Sequence, residues 1–158
     1  MIHGFLVLAD SVSTDTSSGK VHMLGAGWSL TGPMVPPSAV AGFLRIPWDE
    51  AGRQVQFRLH LVDQDREPVK LLHDDGQSRA IVFEGALSLQ NAQPADELSK
   101  NLPVNVSFGL SIPPLPLPAG QVYQWMFDIG ETEVAAVQFA VRSQDVTVAD
   151  EPHSGEPE

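Results

Sequence analysis

Carboxylates concentrate in two segments of this chain, and together they would suit a calcium ion. The candidate ligands are Asp10, Asp15, Asp63, Asp65 and Glu67. Calcium takes about six to eight oxygen ligands, which loops at one end of a β-sandwich are able to supply. Residues 10–19 and 63–75 are therefore a candidate calcium or small-ligand site. The alternative interpretation is a pair of solvated turns, in which each Asp caps neighbouring backbone N–H groups.

Other side chains show no catalytic or transition-metal pattern. His3, His22, His60 and His73 are far apart and form no His-x-His or His-x-x-x-His pair. The absence of cysteine excludes disulfides and thiolate zinc sites. A Ser-x-x-Lys pattern at residues 17–20 lies in a polar loop, without the helix that would present its serine. We therefore predict that the chain is not an enzyme and uses no cofactor.

A glycine-rich stretch, Gly25-Ala26-Gly27, follows an apolar run as phosphate-binding turns do. A phosphate loop needs a helix after it, so that the helix N-terminus faces the anion. Residues 28–33 contain no helix signal, and the alternation of apolar residues continues through the glycines. We predict no nucleotide site, and we place Gly25 and Gly27 on one face of a strand.

The charge balance excludes two classes of partner. The formal net charge is −11, and the nine Lys and Arg residues are scattered. Nucleic acids and anionic membranes are bound by concentrated basic surfaces, so neither is expected as a partner. The first ten residues, MIHGFLVLAD, lack the basic region of a secretion signal and indicate a first strand. We expect a cytoplasmic protein, with which the lack of cysteine is compatible.

Alternation with period two dominates the chain and predicts an all-β fold. It is clearest in residues 55–61, 81–89, 104–112, 123–129 and 137–141. Further strands are expected at residues 4–9, 20–30 and 40–46. About seven to nine strands separated by turn-rich segments predict an antiparallel β-sandwich, jelly-roll or Ig/C2-like. Little helix is expected, with residues 94–102 as its one candidate.

The chain divides into a domain and a tail. Residues 1–143 are predicted to form a single β-sandwich domain. Residues 144–158 are acidic, contain Pro and Gly, and are predicted to be disordered. Within the domain, Trp48 lies between Ile46-Pro47 and Asp49-Glu50, at the end of a predicted strand. Such an aromatic residue serves either as an interface anchor or as a lid on the core.

Three blocks of the sequence are similar to a known family. They are FLVLADSVSTDTSSGKVHMLGAGWS (residues 5–29), RLHLVDQDREPV (58–69) and VYQWMFDIGETEVAAVQFAVR (122–142). Together they resemble a family of small uncharacterised bacterial and phage-associated proteins. The resemblance implies a β-sandwich without an established activity, and therefore supplies no catalytic residues. It also raises a structural or accessory role in a phage-like particle, in which case the protein would be virion-associated.

These observations favour a non-enzymatic module that binds another protein or assembles with itself. The hypothesis rests mainly on elimination, because the chain shows no catalytic geometry, nucleotide loop or basic patch. A sandwich that binds calcium or a small ligand through residues 10–19 and 63–75 is the alternative.

Overall fold

The computed structural model describes residues 1–90 and 96–144. The described chain contains twelve strands and one 3₁₀ turn, Ser99–Asn101. The strands are β1 (His3–Ala9), β2 (Ser11–Thr14), β3 (Val21–Leu24), β4 (Leu30–Thr31), β5 (Ser38–Ile46), β6 (Gln54–Asp63), β7 (Lys70–Leu72), β8 (Ser78–Ala80), β9 (Val82–Ser88), β10 (Val104–Ile112), β11 (Gln121–Ile129) and β12 (Thr132–Val141). The predicted all-β fold with little helix is confirmed.

Two main sheets build the sandwich. The first has three strands in the order β1-β5-β10, and the second has five in the order β4-β12-β11-β6-β9. Two short hairpins, β2–β3 and β7–β8, form separate two-stranded sheets. All strand pairs are antiparallel except β4 with β12, which is parallel. The antiparallel sandwich predicted from the sequence is therefore confirmed, and the parallel pair is an addition to it.

Aromatic side chains connect the two sheets inside the sandwich. Phe108 of β10 stacks on Phe127 of β11 at a centroid distance of 4.7 Å, and Phe57 of β6 stacks on Phe127 at 5.6 Å. Trp125 and Tyr123, on the same face of β11, are the largest fully buried side chains. Each of these residues lies at an inward position of the period-two alternation, so burial of one strand face places all of them in the core.

The Phe108 ring occupies space that only glycine leaves free. Phe108 pairs with Gly42 of the neighbouring strand β5, and a Cβ atom at Gly42 would overlap the ring. The glycine does not mark a bulge here, because the register of β5 with β10 is regular across this position. It permits close approach of an aromatic ring to the backbone.

The predicted strand over residues 20–30 is wrong in its centre. Strand β3 ends at Leu24, and Gly25 and Gly27 have φ angles of 62° and 93°. The chain therefore turns in the left-handed region, where the Gly27 N–H donates to the Leu8 carbonyl at 2.7 Å. The pattern of apolar residues does not reveal a change in the sign of φ, which glycine allows without steric cost. The glycines are followed by the short strand β4.

Two further predictions concern segments that lie partly outside the described residues. The predicted helical segment 94–102 is reduced to the 3₁₀ turn Ser99–Asn101, and residues 91–95 lie outside the described chain. The predicted disorder of residues 144–158 falls almost entirely on residues 145–158, which also lie outside it. Among the described residues, no helix has the length and apolarity needed to cross a membrane.

Replacing Gly42 by Ala tests the close approach of Phe108. Because the new methyl group would overlap the ring, we expect a loss of about 1–3 kcal/mol in the free energy of unfolding, measured by urea denaturation. Phe108→Leu is the partner variant, since a smaller side chain relieves the overlap. A double-mutant cycle should therefore show strong coupling between the two positions. Additive effects would contradict this explanation of Gly42.

Candidate functional site

The outer face of the three-stranded sheet carries an open surface with stacked aromatic rings. The registers of β1, β5 and β10 align outward side chains in rows across the sheet. The first row contains His3, Arg45 and Asn105, and the second contains Phe5, Phe43 and Ser107.

The β2–β3 hairpin covers the rest of this face. In the third row, Gly109 lies under Val12 of β2, and a Cβ atom at Gly109 would stand 2.6 Å from a Val12 methyl carbon. The alanines at positions 39 and 41 are fully buried, although they point out of the sandwich. Glycine and alanine thus let the hairpin lie close to the sheet. The hairpin stops short of the first two rows, which remain open.

The open rows form a groove of about 510 Å³, which we call the Phe5–Phe43 groove. Its lining residues are His3, Gly4, Phe5, Phe43, Leu44, Arg45, Asn105, Val106 and Ser107. Phe5 stacks on Phe43 with ring centroids 5.1 Å apart, and Phe5 is 59% exposed. Stacked aromatic residues in a concave surface with a few polar groups are typical of binding sites.

The groove lining carries the positive charge of Arg45 and the imidazole of His3. Arg45 and His3 face each other across β1 and β5, and the lining contains no carboxylate. Arg45 forms no salt bridge with any described residue. The Arg and Lys side chains that do pair with carboxylates are Arg53, Arg58, Arg66, Arg79 and Lys100. In a chain with a net charge of −11, this groove is a local exception.

The outer face of the five-stranded sheet carries a second polar cluster. The Asp128 Oδ2 atom accepts hydrogen bonds from Arg58 at 3.2 Å and from His60 Nε2 at 2.9 Å. Asp128 is only 8% exposed, and the β11–β12 register shifts between Phe127 and Asp128. The shift is a β-bulge, a feature that redirects side chains in a sheet. His60 forms no hydrogen bond with a hydroxyl group of the described chain, so this cluster holds charges together without presenting a nucleophile.

The carboxylates predicted as calcium ligands instead cap their own turns. Asp63 Oδ1 accepts the N–H groups of Asp65 at 2.9 Å and Glu67 at 3.0 Å. Asp15 Oδ1 accepts the Ser17 N–H at 2.9 Å and the Ser17 hydroxyl at 2.7 Å. These hydrogen bonds favour the charged form and lower the pKa of Asp15 to about 2. The alternative interpretation of these segments, as capped turns, describes their contacts.

The structure does not bring the two acidic loops together as a metal site. Asp10 lies against Gly25, and its own N–H donates to the Leu24 carbonyl at 2.9 Å. Within residues 1–90 and 96–144, no group of three or more His, Cys, Asp or Glu side chains is arranged to hold a metal ion. Calcium binding by these loops stays a prediction without a contact that favours it.

Trp48 joins two loops. Its indole N–H donates to the Leu102 carbonyl at 2.6 Å, and the residue is 39% exposed. The bond connects the turn after β5 to the segment before β10. The proposed interface role of Trp48 stays a prediction. Sequence reasoning could not find the hydrogen bond, because its partners are 54 positions apart.

A comparison with protein families identifies the family of the chain. The model of a family of unknown function (DUF6941) matches residues 4–142, from β1 to the residue after β12. The chain belongs to this family. Its similarity to an uncharacterised family, inferred from three sequence blocks, is therefore confirmed, whereas bacterial or phage origin stays a prediction. No curated protein and no solved structure matches the chain.

The Asp15 turn makes the stability of this DUF6941 chain depend on pH in the acidic range. The pKa of Asp15 is lowered from 3.8 to about 2 on folding, so its contribution is present above pH 4 and is lost as the pH falls towards 2. We expect Asp15→Asn to lower the melting temperature at pH 7 and to lower it less at pH 2. Asp74→Asn removes the same charge from another exposed loop and serves as the control. An equal effect of Asp15→Asn at both pH values would contradict the assignment.

Proposed function

We propose that the chain is a non-enzymatic protein-binding module whose docking surface is the Phe5–Phe43 groove. The observation that carries the proposal is the exposed stack of Phe5 on Phe43, inside a groove whose lining also contains Arg45. Aromatic residues and Arg are enriched at protein interfaces and dominate their binding energy. Covering an exposed pair of aromatic rings removes apolar surface from water, which stabilises the complex with the partner.

The polar side chains around the groove support a binding role over a catalytic one. His3, Asn105 and Ser107 make no side-chain hydrogen bonds with described residues, so no base activates a nucleophile there. The His60–Asp128 pair on the opposite sheet is held by Arg58 and lacks a hydroxyl partner in the described chain. Groups of this kind are suited to recognition through charge and hydrogen bonding.

Self-assembly through the same face is the second form of this proposal. It predicts a mass in solution above the 17.1 kDa of one chain. A structural or accessory role in a phage-like particle would fit such assembly, and it rests on the resemblance alone. The cytoplasmic location likewise stays an expectation from composition.

The groove proposal predicts which variants lose partners. Immobilised full-length chain, screened against a displayed library of random peptides, should enrich peptides that no longer bind after Phe5→Ser or Phe43→Ser. Leu72→Ser is the matched control, because Leu72 is 75% exposed on the β7–β8 hairpin, away from the groove. Peptide binding that survives both phenylalanine replacements, or the absence of enriched peptides from a monomeric chain, would overturn the proposal.

The calcium alternative makes a separate prediction. Millimolar calcium would raise the melting temperature of the wild-type chain, and Asp63→Asn with Asp65→Asn would abolish the rise. Because Asp63 already caps its turn, we expect calcium to leave the melting temperature unchanged. Thermal unfolding with calcium and with a chelator measures the difference. A rise that the double variant removes would reinstate the acidic loops as a metal site.

A further inference from the structure

We infer that the groove's partner is an acidic, extended protein segment that adds to the edge strand β10 and places a carboxylate on Arg45. This inference rests on the proposed function and names its partner class. It draws on two independent features of the same face, namely a sheet edge that pairs with no strand of the described chain and a groove lining that contains Arg45 and no carboxylate.

The direction of the backbone groups in β1 sets the pattern for the sheet. The Leu8 carbonyl accepts from Gly27, and the Asp10 N–H donates to Leu24, so both groups point away from β5. In antiparallel sheets, backbone groups of successive residues point to alternate sides. The residues of β1 that pair with β5 through hydrogen bonds are consequently the odd-numbered ones, among them Phe5 opposite Phe43.

The same alternation leaves the backbone groups along the outer edge of β10 unused. If Phe43 turns its backbone groups towards β1, then Gly42 turns its groups towards β10 and bonds with Phe108. The odd-numbered residues of β10, among them Asn105 and Ser107, therefore point their N–H and C=O groups away from β5, along the free edge of the sheet. Neither has a backbone hydrogen-bond partner in the described part of the chain. A row of this kind is a template for an added strand.

Side chains beside this edge favour a segment with a particular pattern. An added strand would lie about 4.8 Å beyond β10 and would direct alternate side chains over the outer face. Ser107 is small, so a large apolar side chain is able to pass over it and reach the ring of Phe43. Arg45 lies one row away, which corresponds to two residues along the added strand. The fitting segment therefore carries a carboxylate two residues from a large apolar side chain.

Charge complementarity favours an acidic segment despite the net charge of the chain. Repulsion between distant charges is screened beyond about 8 Å at physiological ionic strength. The groove lining offers the positive charge of Arg45 and contains no carboxylate. An arginine that has no acidic partner in the described chain gains a charge-assisted hydrogen bond from an incoming carboxylate.

Three fluorescein-labelled peptides test the inference in anisotropy titrations with the full chain. The first has the sequence Thr-Asp-Thr-Phe-Thr-Asp-Thr-Phe-Thr, and the others carry Asn or Lys in place of Asp. We expect the Asp peptide to bind about tenfold more tightly than the Asn peptide, and Arg45→Gln to abolish that difference. Phe43→Ser should weaken all the peptides, whereas Leu72→Ser should weaken none.

Two changes test strand addition itself. Ser107→Pro removes an edge N–H without removing a hydrogen bond of the sheet, and N-methylation of alternate peptide amides removes the matching donors. We expect each change to weaken binding of the Asp peptide about tenfold. The methylated peptide leaves the protein unaltered, so it decides the question even if the proline variant fails to fold.

The outcomes separate this inference from the proposed function. Equal binding of the Asp and Asn peptides would overturn the acidic partner, and indifference to Ser107→Pro and N-methylation would overturn strand addition. Enrichment of peptides in the library screen would leave the docking function intact in both cases. A dimer in light scattering that Ser107→Pro dissociates would make a second copy the occupant and overturn a separate partner. If a synthetic peptide of residues 145–158 binds more tightly than the Asp peptide, the occupant is the chain's own segment, and a separate partner is overturned.

Discussion

The contact of Phe108 with both sheets is the constraint on which this structure depends. Its ring lies over Gly42 in its own sheet and stacks on Phe127 of the facing sheet. Gly42 must therefore remain without a side chain, and β10 is held against β5 in one register. A shift of that register by one residue would turn every inward side chain of β10 to the outside. The alignment of the outer rows follows from this inner contact.

The outer face shows how small residues divide a sheet into a structural and an open part. Gly109 and the alanines at positions 39 and 41 allow the β2–β3 hairpin to lie flat and to bury one half. Phe43 and Arg45 continue the same strand beyond the hairpin, which does not cover them. One strand thus supplies both the floor under the hairpin and the floor of the groove. The floor of the groove therefore belongs to the central strand of the sheet.

The distribution of charge differs between the two outer faces. On the five-stranded sheet, Asp128 is buried and satisfied by Arg58 and His60, so the cluster is complete in itself. On the three-stranded sheet, Arg45 has no such partner among the described residues. A cation that is already paired contributes little to recognition, whereas an unpaired cation beside an aromatic surface is available to a ligand. This contrast is why we propose the three-stranded sheet as the docking surface.

The sequence by itself determined the elements, because burial of one strand face is a local property with period two. The predicted span 104–112 coincides with β10, and β6 extends the predicted span 55–61 at both ends. Capping by Asp63 was also accessible, since its partners lie within four residues. The turn at Gly25 was not, because apolar alternation is blind to the sign of φ. The Asp128 cluster and the Phe5–Phe43 groove were decided by tertiary structure alone. Their residues come from distant strands, and only the register between strands brings them into contact.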